Sequence, residues 1–376
     1  MLFPARNFRS LVRGSARALT ARAPLLVGTL LLVMACAPAS APAAPTSAPA
    51  AGPAPTAAPQ VRTDAPVRVK VGQVPALLSA PLFIAQEKGY FREAGLEVEL
   101  VDIWQASDML TGLASGDIQI GTGGIGPALM NAVGRGLDIR IVAPLHTERP
   151  PVATPLVVRK ALWDSGEVRS VADLRGRRVS LNSKASATEY WLHASLATGG
   201  LTPDDVDVQV LSFPDAVVAM ANGALDAGLV GEPVATLAER DGTIVRLAED
   251  FVDDFQVTAV YYTGAFADSQ RAAGEAFLAA FLRAAGDLEG SGYRSPENLA
   301  ILEKYTKVPA DVIAAGRVPY HDPQGRIHVE DFQQLHDFFM QQGALTLTQP
   351  LDISTLVDPS FAEAARRIAA TPTAGR

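Results

Sequence analysis

Cysteine is nearly absent from this chain of 376 residues, in which Cys36 is the only one. A single thiol can form neither a disulfide within the chain nor a cysteine-based metal site. The histidines are few and scattered, at His146, His193, His321, His328 and His336. We find no paired carboxylates, no Ser-His-Asp arrangement and no metal-ligand spacing. The sequence therefore predicts no catalytic residue, no metal site and no cofactor.

Acidic residues are absent from the start of the chain, where the first one is Asp64. Five arginines precede an apolar stretch from Leu25 to Ala35. That stretch is too short to span a bilayer core, which needs roughly 20 residues. Basic residues followed by a short apolar run are typical of an export signal. The run ends in Val33-Met34-Ala35-Cys36, which resembles a bacterial lipobox.

We interpret residues 1–35 as a lipoprotein signal peptide and Cys36 as the lipidation site, which places the protein outside the cytoplasm on a membrane. Two acyl chains give a stable anchor, whereas one binds only marginally. An ordinary secretory signal with an accidental cysteine, or an uncleaved anchoring helix, stays open as an alternative. Residues 36–66 are rich in Ala and Pro and are predicted to form a solvated tether behind the anchor.

Positive charge is scarce once the signal is set aside. Without its five arginines, 27 Lys and Arg residues remain against 40 Asp and Glu residues, a net charge of about −13. Nucleic-acid-binding proteins carry basic surfaces that neutralise phosphates. We therefore expect no nucleic acid partner.

From Val67 onward, short apolar or alternating runs are separated by helical stretches. Val67, Val69 and Val71 alternate with basic residues, as in a strand, and Pro81 to Lys88 reads as a helix ended by Gly89. This alternation continues to Arg240 and predicts an α/β fold with mainly parallel sheets. After Tyr262 the pattern becomes helical and includes a predicted helix from Val329 to Gln342.

Several segments, in the same order and spacing, resemble substrate-binding proteins of ABC importers for nitrate, sulfonate, taurine and thiamine pyrimidines. The opening match is SAPLFIAQEKGYF at Ser79 to Phe91, and the other matches cover 112–129, 171–192, 201–233 and 356–365. This resemblance implies a type II periplasmic-binding-protein fold, in which two lobes joined by a hinge enclose a small-molecule ligand. It also implies a monomer that delivers its ligand to an ABC permease with its ATPase.

The resemblance implies lobe boundaries as well. Residues 67–152 and 260–376 are expected to form lobe 1, and residues 153–259 to form lobe 2. The crossing segments are expected near Pro151 to Pro155 and Val257 to Thr263. The ligand would lie in the cleft, where strands end and helices begin.

The turn around Lys184, Ser186 and Thr188 is the first candidate for ligand contact, because free N–H groups, hydroxyls and an ammonium suit an anion. Helix capping by Ser186 and a solvated Lys184 explain the same residues equally well. Thr122 and Gly123 follow a predicted strand, and the glycine allows a ligand to approach the backbone.

Four further residues complete the predicted site. Ser79 and Ala80 occupy the first strand-to-helix turn, although a plain helix cap explains them nearly as well. Glu232 favours a nitrogenous ligand, but a structural ion pair near the hinge is the more common use of such a carboxylate. Tyr261 is selected among aromatics near predicted turns or crossings as a stacking partner, with core packing as the alternative.

Two rival functions stay open. Some enzymes of pyrimidine and menaquinone pathways resemble this architecture, but the cysteine-rich motif of the pyrimidine synthases is absent here. A sensory receptor that works without a transporter is the second rival. The identity of the ligand is not predicted, because Lys184 favours an anion and Glu232 a nitrogenous ring.

Overall fold

Two five-stranded sheets organise residues 65–370, the part of the chain that this computed structural model describes. The predicted signal peptide, Cys36 and nearly all of the predicted tether lie outside the described residues. The strands are β1 Val67–Gln73, β2 Leu96–Asp102, β3 Ile120–Gly124, β4 Ile139–Glu148, β5 Leu156–Arg159, β6 Arg178–Leu181, β7 Asp207–Val210, β8 Ala227–Leu229, β9 Ile244–Ala248 and β10 Phe255–Thr263.

Helices alternate with the strands up to β9 and dominate after β10. They are α1 Ala80–Glu87, α2 Tyr90–Glu93, α3 Ala106–Ser115, α4 Pro127–Gly134, α5 Lys160–Ser165, α6 Ala187–Ala197, α7 Phe213–Ala221, α8 Val234–Arg240, α9 Gly264–Ser269, α10 Arg271–Gly286, α11 Pro296–Thr306, α12 Ala310–Ala315, α13 Val329–Gln341 and α14 Ser360–Ala370. Among the described residues, none of these helices combines the length and apolar character needed to cross a bilayer.

The first sheet has the order β2-β1-β3-β10-β4, and the second has the order β7-β6-β8-β5-β9. We call the bodies built on these sheets lobe 1 and lobe 2. The predicted α/β class is confirmed, with one refinement: each sheet is mixed, since two pairings are parallel and two antiparallel. A short segment joins β4 to β5, and another joins β9 to β10, so the chain passes between the two sheets twice without an intervening helix. A helical crossover is needed only between parallel strands that are paired in one sheet.

Strand β10 begins at Phe255, so the second link between the sheets lies at residues 249–254. The sequence places this crossing later, at Val257 to Thr263, and starts lobe 1 again at residue 260. The whole of β10 is buried and pairs with both β3 and β4. A run buried on both faces lacks the alternation of a half-exposed strand, which explains why the sequence pattern does not identify it.

The two faces of β10 pack into different cores. Tyr262 contacts Phe266, Phe277 and Phe361 beneath α10 and α14. Tyr261 belongs to the other core, which also includes residues of α13 and of lobe 2. There, Tyr190 of α6 stacks on Phe255 at a ring distance of 5.1 Å. Aromatic side chains therefore join lobe 2 to β10 and α13 in this structure.

Candidate functional site

A cavity of about 280 Å³ lies where the parallel strands of lobe 1 end. Val74 follows β1, Ile103 follows β2, and Gly124 ends β3. This is the edge at which open α/β sheets bind ligands, because chain turns and helix N-termini converge there. The wall from lobe 1 is completed by Val257 and Tyr261 of β10 and by Leu335 and Phe339 of α13, and lobe 2 contributes Ala185, Ser186 and Ala187.

Glycines shape the wall formed by β3. A Cβ atom on Gly121 would lie 2.2 Å from Cε2 of Tyr261, so only glycine leaves room for that ring. Gly123 has a φ of +148°, in the region that favours glycine. Gly121 therefore keeps the backbone of β3 close to Tyr261, and Gly123 lines the cavity.

The N-terminus of α4 faces the same space. Gly126 is the N-cap residue, it has no side chain to accept a bond, and Pro127 occupies the first helical position. The first backbone N–H groups of a helix have no acceptor within the helix itself. Gly126, Ala128 and Leu129 line the cavity, so this uncapped end offers hydrogen-bond donors to a ligand.

The Tyr261 hydroxyl is a further free donor. Tyr261 is only 3% exposed, and among residues 65–370 no hydrogen bond to its hydroxyl is present. Burial raises the pKa of Tyr261 well above its ordinary value, so the phenol stays protonated. A Cβ atom on Gly123 would lie 3.9 Å from this hydroxyl oxygen, which places it beside the turn that leads to α4.

Four of the predicted ligand-binding residues line the cavity: Thr122, Gly123, Ser186 and Tyr261. The hydroxyl of Thr122 donates to Gly72 O at 3.0 Å. The hydroxyl of Ser186 donates to Ser183 O at 2.7 Å and makes no capping bond to α6. Both hydroxyls are thus already engaged, and the free donors are the amides of α4 and Tyr261.

The other predicted residues do not line this cavity. Ser79 and Ala80 are fully buried in the core of lobe 1, because the turn before α1 faces the hydrophobic side chains rather than the cleft. Lys184 points to solvent. Thr188 shares a hydrogen bond with Ser186 and donates to Asn182, so it closes the local turn instead.

Glu232 belongs to a group of charges that we call the Arg246 cluster, defined as Glu232, Glu239, Arg246, Glu249 and Arg317, in which only Glu232 and Arg246 are buried. Glu232 Oε1 lies 2.7 Å from Arg246 Nη2, and the two side chains are 4% and 6% exposed. The Glu232 carboxylate also accepts bonds from the backbone N–H groups of Thr236 and Arg317. Its oxygens are therefore engaged by structural partners, which matches the alternative role considered for this residue.

The pKa of Arg246 reflects this environment. Burial lowers it, but hydrogen bonds and charge interactions with Glu239 and Glu232 outweigh that effect and raise it overall. Arg246 therefore stays charged inside the protein. Arg317, which follows α12, reaches Glu249 at 3.0 Å and ties the C-terminal region to lobe 2.

Several cavity residues have no clear signal in the sequence. Trp104 stands out there only as an aromatic near a predicted turn, yet it lines the cavity and is 70% exposed. Leu335 and Phe339 lie on the predicted helix of 329–342, but nothing local indicates that they face a strand-end cavity. In the part of the chain that the structure describes, no cluster of His, Cys, Asp and Glu is suited to hold a metal ion.

Comparisons with known proteins agree with this architecture. The family described as NMT1/THI5 like matches residues 78–289. A taurine-binding periplasmic protein of Escherichia coli is 29% identical over 170 residues, which cover 45% of this chain and 50% of that protein. The chain spans about half the length of the curated relatives it matches first.

Solved structures show the same fold. The periplasmic aliphatic sulphonate binding protein SsuA from Escherichia coli matches with a TM-score of 0.64 at 22% identity, covering 78% of this chain and 92% of that one. The desulfurization enzyme DSZB matches with a TM-score of 0.57 at 16% identity, covering 80% of this chain and 99% of that one. The fold therefore carries both binding proteins and an enzyme.

Proposed function

This chain belongs to the NMT1/THI5-like family, and on that premise we propose that it binds a small organic or anionic solute between its lobes and delivers it to an ABC importer. The taurine-binding and sulphonate-binding relatives support a role in solute capture rather than catalysis. In this proposal the protein works outside the cytoplasm as a monomer. Cys36 carries lipid, and residues 36–66 tether the lobes to the membrane.

The observation that carries the proposal is the cavity with walls from both lobes. The turn at Ala185 to Ala187 faces the strand ends of lobe 1 across about 280 Å³. Closing two bodies about connecting segments buries a ligand that either body alone would leave wet. We propose Thr122, Gly123, Ser186 and Tyr261 as ligand-contacting residues, together with the first turn of α4.

Thermal unfolding of the purified full chain tests this function. The panel contains alkanesulfonates, taurine, nitrate, aromatic carboxylates and thiamine-type pyrimidines. A ligand present at about 100 times its dissociation constant adds roughly 2.7 kcal/mol to the free energy of unfolding. We expect a saturable shift with one class of compound, which is then recovered chemically unchanged.

Two variants link the shift to the cavity. Ala128→Trp inserts a large ring at the start of α4, where Ala128 is exposed and lines the cavity, and we expect it to abolish the shift. Ala197→Trp adds the same ring at an exposed position at the end of α6 and serves as the control. Consumption of a compound would overturn the binding role in favour of catalysis, and a shift unaffected by Ala128→Trp would place the ligand elsewhere.

The lipid anchor has its own test. Cells expressing the protein are labelled with a radioactive or clickable fatty acid, and we expect label on the wild-type chain but not on Cys36→Ser. The wild-type protein should also partition into detergent, while Cys36→Ser should not. Equal labelling of both chains would contradict lipidation at Cys36.

A further inference from the structure

None of the described residues that line the cavity carries a charge. Its surface is formed mainly by aliphatic and aromatic side chains, including Ile103, Met109, Leu335 and Phe339. An ammonium group in this space would find no carboxylate, and burying an unpaired charge is costly. The wall therefore disfavours zwitterions and cations.

Donors without partners lie on the side of the cavity formed by β3, β10 and the start of α4. The amides at the start of α4 have no capping side chain, and Tyr261 is 3% exposed as a residue while its hydroxyl, beside Gly123, has no hydrogen-bond partner among residues 65–370. The backbone N–H groups can only donate, and the Tyr261 hydroxyl donates through its O–H, although its oxygen can also accept. Convergent donors at a helix N-terminus match the oxygens of a single carboxylate or sulfonate group.

Trp104 lies away from these donors along the sheet, because it follows β2, and β1 separates β2 from β3. It is 70% exposed, whereas Trp191 is 3% exposed and Trp163 is packed under Arg169. Within the described part of the chain, the indole of Trp104 makes no ring or cation contact. An exposed indole beside an apolar cavity offers a flat surface for stacking.

We propose that the ligand is an aromatic monoanion, with its ring against Trp104 and the apolar wall and its carboxylate or sulfonate on the α4 amides and Tyr261. This inference rests on the proposed function and adds the class of solute to it. The cavity holds about nine water volumes of roughly 30 Å³ each, enough for one substituted ring. Nitrate or bicarbonate would leave most of it unfilled.

Titration calorimetry of the full chain with matched probes tests the class. Benzenesulfonate is compared with methanesulfonate, benzoate with acetate, and benzylammonium provides the cation; taurine and nitrate complete the set. We expect both aromatic anions to bind, the aliphatic anions to bind at least about tenfold more weakly, and benzylammonium not to bind. Comparing benzenesulfonate with benzoate identifies the preferred head group.

Two variants test the proposed contacts of Trp104 with the ligand ring and of Tyr261 with its head group. Trp104→Ala is expected to weaken binding of the aromatic anions by roughly tenfold without lowering the unfolding midpoint, because the side chain is exposed. Trp163→Ala, a tryptophan outside the cavity, should leave the affinity unchanged. Tyr261→Phe keeps the ring beside Gly121 and removes only the donor, so it should weaken benzoate and benzenesulfonate by about tenfold.

The outcomes separate the solute class from the function itself. Binding of taurine or nitrate without the aromatic anions would overturn the class and leave solute binding intact. Equal binding of benzylammonium and benzoate would contradict the proposal that an anionic head group binds the α4 amides and Tyr261. Binding of the aromatic anions followed by their conversion would keep the class and overturn the transport role, and no binding by any of these probes would overturn the class.

Discussion

The cavity and the Arg246 cluster differ in how their polar groups are satisfied. In the Arg246 cluster, Glu232 and Arg246 face each other at 2.7 Å and their remaining atoms bond to neighbours. In the cavity, the Tyr261 hydroxyl and the amides of α4 are left without partners, and no described lining residue is charged. Paired charges stabilise the connection between chain segments, whereas unpaired donors remain available for a ligand.

The largest expected effect comes from breaking the Arg246 cluster. Arg246→Met leaves Glu232 as a buried unpaired carboxylate, which costs about 3–5 kcal/mol of unfolding free energy. Urea unfolding measures this loss. Arg240→Ala is the control, because its pair with Asp311 is exposed and is worth below about 1 kcal/mol.

A double variant that removes both charges of the Glu232–Arg246 pair tests whether the lost stability comes from the unpaired carboxylate. In Glu232→Gln with Arg246→Met, no carboxylate is left facing the methionine, so part of the lost stability should return. A double variant as unstable as the sum of both single variants would show that the pair is not coupled.

The buried side chain of His321 is expected to make the free energy of unfolding depend on pH. His321 is 3% exposed, and burial lowers its pKa to about 3 from an ordinary value of 6.5. His321 stays neutral in the folded protein, whereas in the unfolded chain it takes up a proton as the pH falls below its ordinary pKa of 6.5. The contribution of this residue to the free energy of unfolding is therefore constant above pH 6.5 and decreases as the pH falls toward 3. Between pH 7 and pH 5 the free energy of unfolding should drop by about 2 kcal/mol from this residue.

His321→Gln isolates that contribution from those of other titrating groups. The difference in unfolding free energy between the wild-type chain and this variant should shrink as the pH falls from 7 to 5. A difference that does not change with pH would contradict a buried neutral histidine.

Gly121→Ala tests the contact that shapes the cavity. The added methyl group would lie within 2.2 Å of the Tyr261 ring, and overpacking of this kind costs about 1–3 kcal/mol. It should also weaken ligand binding, because the Tyr261 hydroxyl moves with its ring. Gly124→Ala is the matched control in the same strand, since nothing lies within 4 Å of its Cβ position. Urea unfolding should show no more than about 0.5 kcal/mol for the control.

The smallest predicted change in stability distinguishes the hydroxyl groups of the neighbouring residues Tyr261 and Tyr262. The Tyr262 hydroxyl donates to Gly274 O at 2.7 Å in the core, so Tyr262→Phe should lose about 1 kcal/mol of stability without any change in affinity. Tyr261→Phe should show the opposite pattern, with unchanged stability and weaker binding. Equal stability losses in both variants would indicate that the Tyr261 hydroxyl has a structural partner.

Part of the site was predictable from local sequence. Thr122 and Gly123 line the cavity, and they were predicted because glycines after a strand allow a ligand to approach the backbone. Ser186 also lines it, and it was predicted because free N–H groups and hydroxyls in its turn suit an anion. Ser79 and Ala80 occupy the same kind of turn but are buried. Whether a turn faces the cleft or the core depends on what packs over it, and no local pattern reports that.

The sequence by itself determined the α/β class, the family and, to within one residue, the helices expected at 81–88 and 329–342, because these depend on periodicity, on the order of local motifs and on residues close in the chain. Tertiary structure alone decided the course of β10, which lies between β3 and β4 and brings Tyr261 against Gly121. It also decided which side chains from α13 and lobe 2 complete the cavity. Such neighbours are distant in sequence, and their contacts arise only when burial of both faces of β10 sets the packing.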